Sequence, residues 1–519
     1  MINDRLHKEV YLAALSATGF FLPLSVWMLT FFIIVLVIIW IAAGGLKRMP
    51  ELIHGKRNIL IFCIIYLVYL IGMFKTSDVL SGLRELKIML PLLIFPFVIG
   101  LSEPLKKKEQ KIIISFFIAG VTVSSVAGVI LKMKPVLSGL SDPREISVFI
   151  SHIRLALMSV FAIFCSGWYF FSFNEEKKFS HYLYLLAALW LTAFLFILLS
   201  LTGILVFVIV LSLTLFFISF NRKHLYLKYS LAVIMIGLFI SVTLCIIHEI
   251  KSFYKEGNAY PSPLEQFTAN GNRYQHFTER KDIENGNKVW LYLNEDGLKK
   301  EWNSRSSFVY DSLDRKGQQL RFTLIRYLTS TGFTKDSLGV SRLTTGDIKN
   351  IENGITNIIF AERKPVRSKI YEIIWQIDYY KNGGNPSGHS ITQRIEFYKT
   401  GWNIFLRVPL SGTGTGDLNK EFKLQYKLDN SILDKNHRFL AHNQYLTFLI
   451  SFGIIGFLLI CFSLVFPVIM GKGLNSYAAV VFFVIIFLSM LGEDTLETHT
   501  GVSFFAYFYS LFIFGKNEE

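Results

Sequence analysis

The sequence is poor in charge and in cysteine for its length. Only 18% of its 519 residues are charged, whereas 52% are apolar and the mean hydropathy is +0.44. Soluble domains carry about 25% charged residues, so much of this apolar surface must face lipid. The four cysteines lie within apolar runs without metal-ligand spacing, which argues against a disulfide scaffold or a zinc centre. The composition also excludes disordered and collagen-like proteins.

Long apolar runs recur along the chain. A transmembrane helix needs about 20 apolar residues to cross about 30 Å of hydrocarbon. Twelve runs approach that length, at about 9–24, 26–45, 58–74, 87–102, 110–132, 153–173, 182–199, 201–220, 228–248, 443–470, 476–492 and 500–515. They predict an all-α polytopic membrane protein with about 12 transmembrane helices. Nine helices would lie in residues 1–248 and three in 443–519, with a large loop at 249–442 between them.

The charges that are present are biased towards lysine and arginine. The chain has 53 Lys and Arg against 38 Asp and Glu, a net charge of +15. Seventeen of these cations fall in one set of short loops and seven in the opposite set. Cytoplasmic loops retain the cations of a membrane protein. We therefore predict that both termini are cytoplasmic and that the large loop lies outside.

The large loop is too regular in pattern to be a linker. Lys288–Asn294 alternates like a strand, whereas Gln318–Thr329 and Ser368–Asn382 have the apolar spacing of helices. These patterns predict a small extracytoplasmic α+β domain on the outer membrane face.

An amphipathic helix is predicted at about 390–407, with Ile391, Ile395 and Trp402 on one face. Arg394 lies one turn into this helix, near the positive end of the helix dipole, where a phosphate group is favoured. From spacing alone, a solvated arginine on a membrane-surface helix is the simpler interpretation.

The segment Pro409–Asp417 contains three alternating glycines. Such a segment allows backbone N–H groups to approach a phosphate, but no Lys-Ser or Lys-Thr follows, so it is not a nucleotide-binding P-loop. A turn between two helices, with Asp417 as the N-cap of the second, is the favoured interpretation.

A third polar group precedes the tenth predicted span and contains Arg438, His442, Asn443 and Gln444. Polar side chains at that depth are costly unless they are paired or used. An imidazole there can take a proton from a hydroxyl near neutral pH, and an adjacent amide can orient a sugar. Interfacial anchoring by Tyr445 beside a solvated His442 explains the pattern equally well.

Two further polar groups lie at outer ends of spans. His152 and Arg154 open the sixth span, where Arg154 either snorkels to headgroups or faces a cavity in the bundle. Between the last two spans lies an acidic group: Glu493, Asp494 and Glu497, with His499 beside it. This group could supply a general base or shape a cation-rich pocket, but an acidic solvated loop fits as well.

The order of Arg394, Pro409–Asp417, Ala441–Leu446 and Phe452–Gly456 resembles the O-antigen ligase and Wzy-type polymerase superfamily. The resemblance implies a membrane glycosyltransferase that moves a glycan from undecaprenyl diphosphate to an acceptor hydroxyl, such as one on lipid A-core. It places the reaction at the periplasmic face of the bacterial inner membrane, with membrane lipids around the enzyme.

The same resemblance assigns roles to residues. The arginine matching Arg394 is expected to contact the carrier diphosphate, and the histidine matching His442 is expected to activate the acceptor. No cofactor, metal ion or nucleic-acid partner is expected. The remaining candidates for substrate binding are Arg154, His152, Asn443, Gln444, Arg438 and Glu493.

The chain also departs from this family. Members usually have Ser-Arg-Thr-Gly between two middle spans, whereas this chain has Ser200-Leu201-Thr202-Gly203. Arg154 is our candidate for the missing charge. The insert at about 254–384 exceeds the family core, and we assign it to acceptor recognition or to shielding of the site.

Other functions remain open at this stage. Within the superfamily, the alternatives are an O-antigen or exopolysaccharide polymerase and a protein O-oligosaccharyltransferase. The alternative of another class is a lipid-linked glycan transporter or flippase. A flippase predicts ionisable residues near the bilayer midplane and discontinuous helices, whereas the polar residues here gather at one face.

Overall fold

The computed structural model describes residues 4–50, 55–137, 142–172, 179–220, 225–255, 263–362, 364–471 and 473–516. The structure is mostly helical, at 72%. Its first ten α-helices are α1 (Asp4–Phe21), α2 (Val26–Ala42), α3 (Arg57–Gly72), α4 (Val79–Met89), α5 (Pro91–Gly100), α6 (Lys107–Leu137), α7 (His152–Ser172), α8 (Phe179–Ile197), α9 (Leu201–Phe220) and α10 (Leu225–Tyr254).

The rest of the chain alternates short and long elements. Two strands, β1 (Ile283–Glu284) and β2 (Asn287–Lys288), precede α11 (Glu295–Arg305), α12 (Leu320–Ser330), α13 (Ser337–Ser341), α14 (Thr345–Glu352), α15 (Ile358–Ala361) and α16 (Pro365–Lys381). The last five helices are α17 (Thr392–Arg407), α18 (Leu418–Leu428), α19 (Gln444–Met470), α20 (Tyr477–Gly492) and α21 (His499–Ile513). Short 3-10 turns occur at Gly45–Arg48, Met73–Lys75, Pro143–Ile146, Lys435–His437 and Gly473–Asn475.

The chain divides into two compact units. The first contains Met1–Phe217, Arg394–Ser431 and Arg438–Glu519, and the second contains Ile218–Gln393 and Ile432–His437.

Five helical segments are long and apolar enough to cross a membrane, by length and composition. They are Arg57–Lys75, Lys107–Lys134, His152–Ser172, Leu201–Ile218 and Gln444–Met470, and shorter apolar helices cover Val26–Ala42, His181–Ile197 and Tyr477–Gly492. An α-helical membrane protein is therefore supported, whereas the number of twelve spans stays a prediction. Some of the cations behind the predicted orientation lie outside the described residues, namely Lys177, Lys178, Arg222, Lys223 and Lys472.

The first unit packs around α21, which is buried along almost its whole length. The hydroxyl of Tyr507 donates to the Leu15 carbonyl at 2.8 Å, and Tyr509 donates to the Leu464 carbonyl at 2.9 Å. The Phe161 ring on α7 lies 4.9 Å from the ring of Phe508. A helix that is apolar on all sides is stable only inside a bundle or a membrane, so α21 is the central helix of this unit.

Helix α19 is interrupted at Gly453, whose φ is +63° and ψ is −173°. The break frees carbonyl groups in the turn before it. The Ile450 and Ser451 carbonyls accept from the N–H groups of Thr413 and Gly414, each at 2.9 Å. A break at membrane depth requires such replacement partners, and the glycine-rich loop supplies them.

The loop Pro409–Asp417 is thus a structural plug. The backbone N–H groups of residues 412–416 are bonded to backbone or side-chain oxygens of the same unit, including that of Gly416, which donates to the Thr76 hydroxyl at 3.2 Å. The carboxylate of Asp417 accepts from the Ser77 N–H at 2.7 Å and the Asp78 N–H at 2.9 Å. The predicted turn is confirmed, and Asp417 is the N-cap residue of α18. Its side chain makes no capping hydrogen bond, because the carboxylate is bonded to Ser77 and Asp78 instead.

The second unit has a core of its own, built on Trp302, Leu320 and Tyr327. The helices predicted at Gln318–Thr329 and Ser368–Asn382 are confirmed by α12 and α16. The strand predicted over Lys288–Asn294 is wrong beyond its first residue. Tyr292 has a φ of +55°, and Leu291, Tyr292 and Leu293 are all buried, so the chain turns where an alternating strand would continue. The only sheet among the described residues is the antiparallel β1–β2 pair.

Candidate functional site

A cavity of about 510 Å³ in the first unit brings most of the predicted polar groups together. Four pieces of chain form it: the start of α7, helix α18, the segment before α19, and the turn between α20 and α21. Its lining residues are Ser151, Ile153, Arg154, Asn419, Phe422, Lys423, Tyr426, Arg438, Phe439, Leu440, His442, Glu493, Asp494 and Glu497. This size is typical of small-molecule sites.

His442 is held in an unusual backbone conformation immediately before α19. Its φ is +49°, a left-handed value that is uncommon outside glycine and that often marks functional sites. Asn443 then caps α19, accepting from the Leu446 N–H at 3.1 Å. The Asp494 carboxylate accepts from the His442 backbone N–H and from the Thr447 hydroxyl, the latter at 2.8 Å. The backbone around His442 is therefore fixed from two sides.

Glu493 links His442 to Arg394. One carboxylate oxygen, Oε2, lies 3.6 Å from His442 Nδ1, and the other, Oε1, accepts from Arg394 Nη2 at 2.6 Å. Burial by itself would raise the pKa of Glu493, but the contacts with His442 and Arg394 outweigh it and hold this pKa below its usual value. Glu493 is therefore ionised at neutral pH and orients the imidazole, with Nε2 on the opposite side of the ring.

Arg394 lies in the first turns of α17, as the sequence predicts. Its guanidinium contacts Glu493, and it is not among the residues that line the cavity. In this structure Arg394 therefore contacts Glu493, and Glu493 in turn contacts His442.

Arg154 faces the cavity, which favours the cavity interpretation over snorkelling. Its Nη1 donates to the Ser151 hydroxyl at 2.9 Å, whereas Nε is buried without a hydrogen-bond partner among the described residues. The nearest carboxylates, with Glu493 first, interact with it electrostatically. His152 begins the same helix but does not line the cavity.

The start of α9 lies beside the start of α7. A Cβ atom on Gly203 would come within 2.6 Å of the Ala156 Cβ, so the glycine permits close packing of the two helices. Leu201 and Arg154 each stand two residues before this contact. The place where the family usually has an arginine therefore lies at the same end of this helix pair as Arg154.

The other predicted residues divide into two kinds. Arg438 lines the cavity, and its guanidinium lies 5.8 Å from the centre of the Tyr426 ring. Asn443 and Gln444 are not among the lining residues. The Asn443 amide donates to the Leu491 carbonyl at 3.1 Å, and the buried Gln444 oxygen accepts from the Leu496 N–H at 2.7 Å. Both amides hold the cavity wall in place.

Sequence reasoning missed the wall that α18 contributes. Asn419, Phe422, Lys423 and Tyr426 line the cavity at relative positions 0, 3, 4 and 7, the spacing of one helical face. That spacing is visible in the sequence, but only the fold places this face against His442.

The carboxyl groups in the turn after α20 differ from one another in pKa. Burial raises the pKa of Asp494, although the Thr447 hydroxyl opposes the shift. Burial, together with the negative charges of Glu85 and Asp494, places the pKa of Glu497 well above its usual value. Burial also raises the pKa of Glu85, which lies on α4, to about 7. The cavity is therefore less negative than its count of acidic residues indicates.

Within the described ranges, no three His, Cys, Asp or Glu side chains are placed to hold a metal ion. Metal independence nonetheless stays an expectation drawn from the resemblance.

Fold and cavity together define a helical membrane protein with a histidine–glutamate pair and an arginine in one cavity. Residues 341–461 match the family Wzy_C, described as O-antigen ligase. The match contains Arg394, the loop Pro409–Asp417 and His442, and it confirms the resemblance to the O-antigen ligase and Wzy-type superfamily. No curated protein matches the chain.

Proposed function

We propose that this protein is an O-antigen ligase-like glycosyltransferase of the bacterial inner membrane. It moves a glycan from undecaprenyl diphosphate to a hydroxyl of lipid A-core at the periplasmic face. The observation that carries the proposal is the single cavity in which His442, oriented by Glu493, lies with Arg154. The Wzy_C match supports the same class of reaction.

His442 is the proposed general base. The acceptor oxygen bonds to the anomeric carbon of the donor sugar while the bond from that carbon to the phosphate oxygen breaks. The diphosphate keeps the electron pair, and Nε2 of His442 takes the hydroxyl proton. Glu493, 3.6 Å from Nδ1, stabilises the imidazolium that forms.

The leaving diphosphate gains negative charge and needs fixed cations. Arg154 suits this role because its Nε is buried without a partner, and guanidinium groups bind paired phosphate oxygens in a fork. It lies at the start of the helix that packs against the start of α9, where Leu201 replaces the family arginine. Arg394 fixes Glu493 in this structure, and the resemblance adds a contact with the diphosphate.

The transporter alternative predicted discontinuous helices, and α19 is indeed interrupted at Gly453. The carbonyls freed by that break are bonded to Thr413 and Gly414 of the plug loop. They are therefore occupied by the chain itself, whereas a transporter would leave them to coordinate an ion or a substrate. We favour transfer chemistry for this reason.

The test is a transfer assay with purified protein and undecaprenyl-diphosphate-linked glycan, run with and without a chelator. Lipid A-core and excess lipid-linked glycan are offered as separate acceptors. Product on lipid A-core supports a ligase, and lengthened carrier-linked chains support a polymerase. A peptide acceptor tests the protein transferase, and absence of transfer to all three overturns the proposal.

Variants then test the assigned roles. Arg154→Ala is expected to weaken donor binding at least tenfold, whereas unchanged donor affinity would remove Arg154 from the diphosphate site.

Arg394→Lys is expected to reduce transfer, because a single ammonium cannot reproduce a planar fork. Free exchange of lysine for arginine would make Arg394 a surface charge only.

A further inference from the structure

The cavity is larger than a diphosphate needs. At about 30 Å³ for each water, 510 Å³ corresponds to roughly 17 water molecules, whereas a diphosphate has two phosphorus and seven oxygen atoms. Space for a sugar residue therefore remains beside it. The α18 side of the cavity has no assigned role so far.

Two groups of lining residues can be separated by their interactions. Arg154 interacts with the acidic turn that begins at Glu493, and Glu493 contacts His442. On the other side, the Tyr426 hydroxyl donates to the Phe439 carbonyl at 2.6 Å, which ties α18 to the segment before α19. The first group is the proposed reaction centre, and the second forms a separate wall.

The α18 wall carries positive charge and contributes no acidic residue to the cavity. Lys423 is exposed, lines the cavity and has no carboxylate partner among the described residues. Asn419, one turn earlier on the same face, is also exposed and offers an amide to a hydroxyl group. The one glutamate of this helix, Glu421, is paired with Arg407 at 2.5 Å and does not line the cavity.

We infer that the α18 wall binds an acidic sugar residue of the transferred or accepting saccharide, with Lys423 contacting its carboxylate or phosphate and Asn419 a neighbouring hydroxyl. This inference rests on the proposed function and adds the substrate class. Charge complementarity carries it: an unpaired cation in a cavity is best satisfied by an anion. Phe422 and Tyr426 line the cavity beside these polar groups, and their rings lie 5.9 Å apart.

Lys420 provides a matched control. It lies on the same helix, three residues earlier, but its Nζ contacts the Ser77 hydroxyl at 2.8 Å and it does not line the cavity. Lys420→Ala and Lys423→Ala remove the same charge from the same helix, but only Lys423 lines the cavity.

The experiment measures binding of free oligosaccharides to the full-length protein in lipid nanodiscs. The probes are a uronic-acid oligosaccharide, the same compound with its carboxylate reduced to a hydroxymethyl group, and a phosphorylated core oligosaccharide. Lys423→Ala is expected to weaken binding of one or both acidic probes about tenfold or more and to leave the neutral probe unchanged. Lys423→Arg should restore binding, and Lys420→Ala should match the wild type.

Which acidic probe responds shows whether the sugar belongs to the glycan or to the acceptor. Equal weakening of all three probes, no effect of Lys423→Ala, or no binding by the wild type would each overturn the inference. Transfer kinetics separate its failure from that of the proposed function. If His442→Ala abolishes transfer while Lys423→Ala leaves every probe unaffected, the transferase stands and only the sugar assignment falls.

Discussion

The contact between Glu493 and His442 allows a quantitative prediction. Glu493→Gln keeps the size of the side chain but removes the charge that balances the imidazolium. At the 3.6 Å separation, Coulomb's law gives about 1.2 kcal/mol at an effective dielectric constant of 80 and about 4.6 kcal/mol at 20. With 1.36 kcal/mol for each tenfold change in rate, these limits correspond to roughly 7-fold and 2,000-fold.

The environment of Glu493 favours the upper part of that range. Its side chain is only 13% exposed, and its loss leaves the Arg394 charge unbalanced near the imidazolium. We expect kcat to fall about 100- to 1,000-fold, measured as single-turnover transfer from undecaprenyl-diphosphate-linked glycan.

The control for this variant is Glu421→Gln, which removes an ion pair with Arg407 outside the cavity. We expect it to change kcat by less than twofold, since exposed pairs contribute little. Both variants should insert and accumulate like the wild type. A correctly folded Glu493→Gln enzyme with kcat within threefold of the wild type would refute the role of Glu493 as the partner of His442.

Three further predictions concern chemistry and stability. His442→Ala should abolish transfer without lowering the yield of inserted protein, and near-normal product would remove the residue from the catalytic role. Gly453→Ala should lower the free energy of unfolding by about 3 kcal/mol or more, because this φ/ψ combination is almost confined to glycine. Gly167→Ala, in open space on α7, should be neutral or slightly stabilising in the same thermal unfolding assay. Asp417→Asn should destabilise by about 2–4 kcal/mol through weakened charged hydrogen bonds, and the difference from wild type should disappear in strong acid.

The acid dependence at Asp417 follows from the direction of its pKa shift. Burial opposes the shift, but hydrogen bonds from Ser77 and Asp78 lower the pKa of Asp417 below its usual 3.8. A group whose pKa is lower in the folded state stabilises the fold fully above its unfolded value. That contribution is lost as the pH falls from about 4 through the folded value. The difference in unfolding midpoint between wild type and variant should therefore shrink steadily as the pH falls below about 4, and a constant gap would contradict the assignment.

Much of this architecture was readable from the sequence, for reasons that differ between residues. Apolar runs predicted the long helices because membrane helices need continuous apolar length. The end of α16 just before Gly383 and Gly384 and the position of Arg394 in α17 follow from local signals. The sequence could not decide whether Arg154 contacts lipid headgroups or faces a cavity, because an arginine just before an apolar run can do either.

Long-range contacts were the part that sequence patterns missed. Asp417 looked like a cap because it precedes a helix, yet its partners Ser77 and Asp78 are more than 300 residues away in the chain. The same holds for Lys423, whose helical face is evident but whose facing residues come from α7 and from the turn after α20. The strand predicted over Lys288–Asn294 does not form because Leu291, Tyr292 and Leu293 are all buried, whereas side chains in a half-buried strand alternate between two faces.

The hydrogen bonds between the plug loop Pro409–Asp417 and the residues between α3 and α4 have a consequence for biosynthesis. The Ser77 N–H donates to the Asp417 carboxylate, which is synthesised 340 residues later. At about 5–20 residues per second, roughly 17–70 s of translation separate the two. The early helices are therefore made before the loop that completes their hydrogen bonds exists. A ribosome-stalled chain ending before residue 409 should be open to protease near Ser77, and one carrying the loop and α19 should be protected.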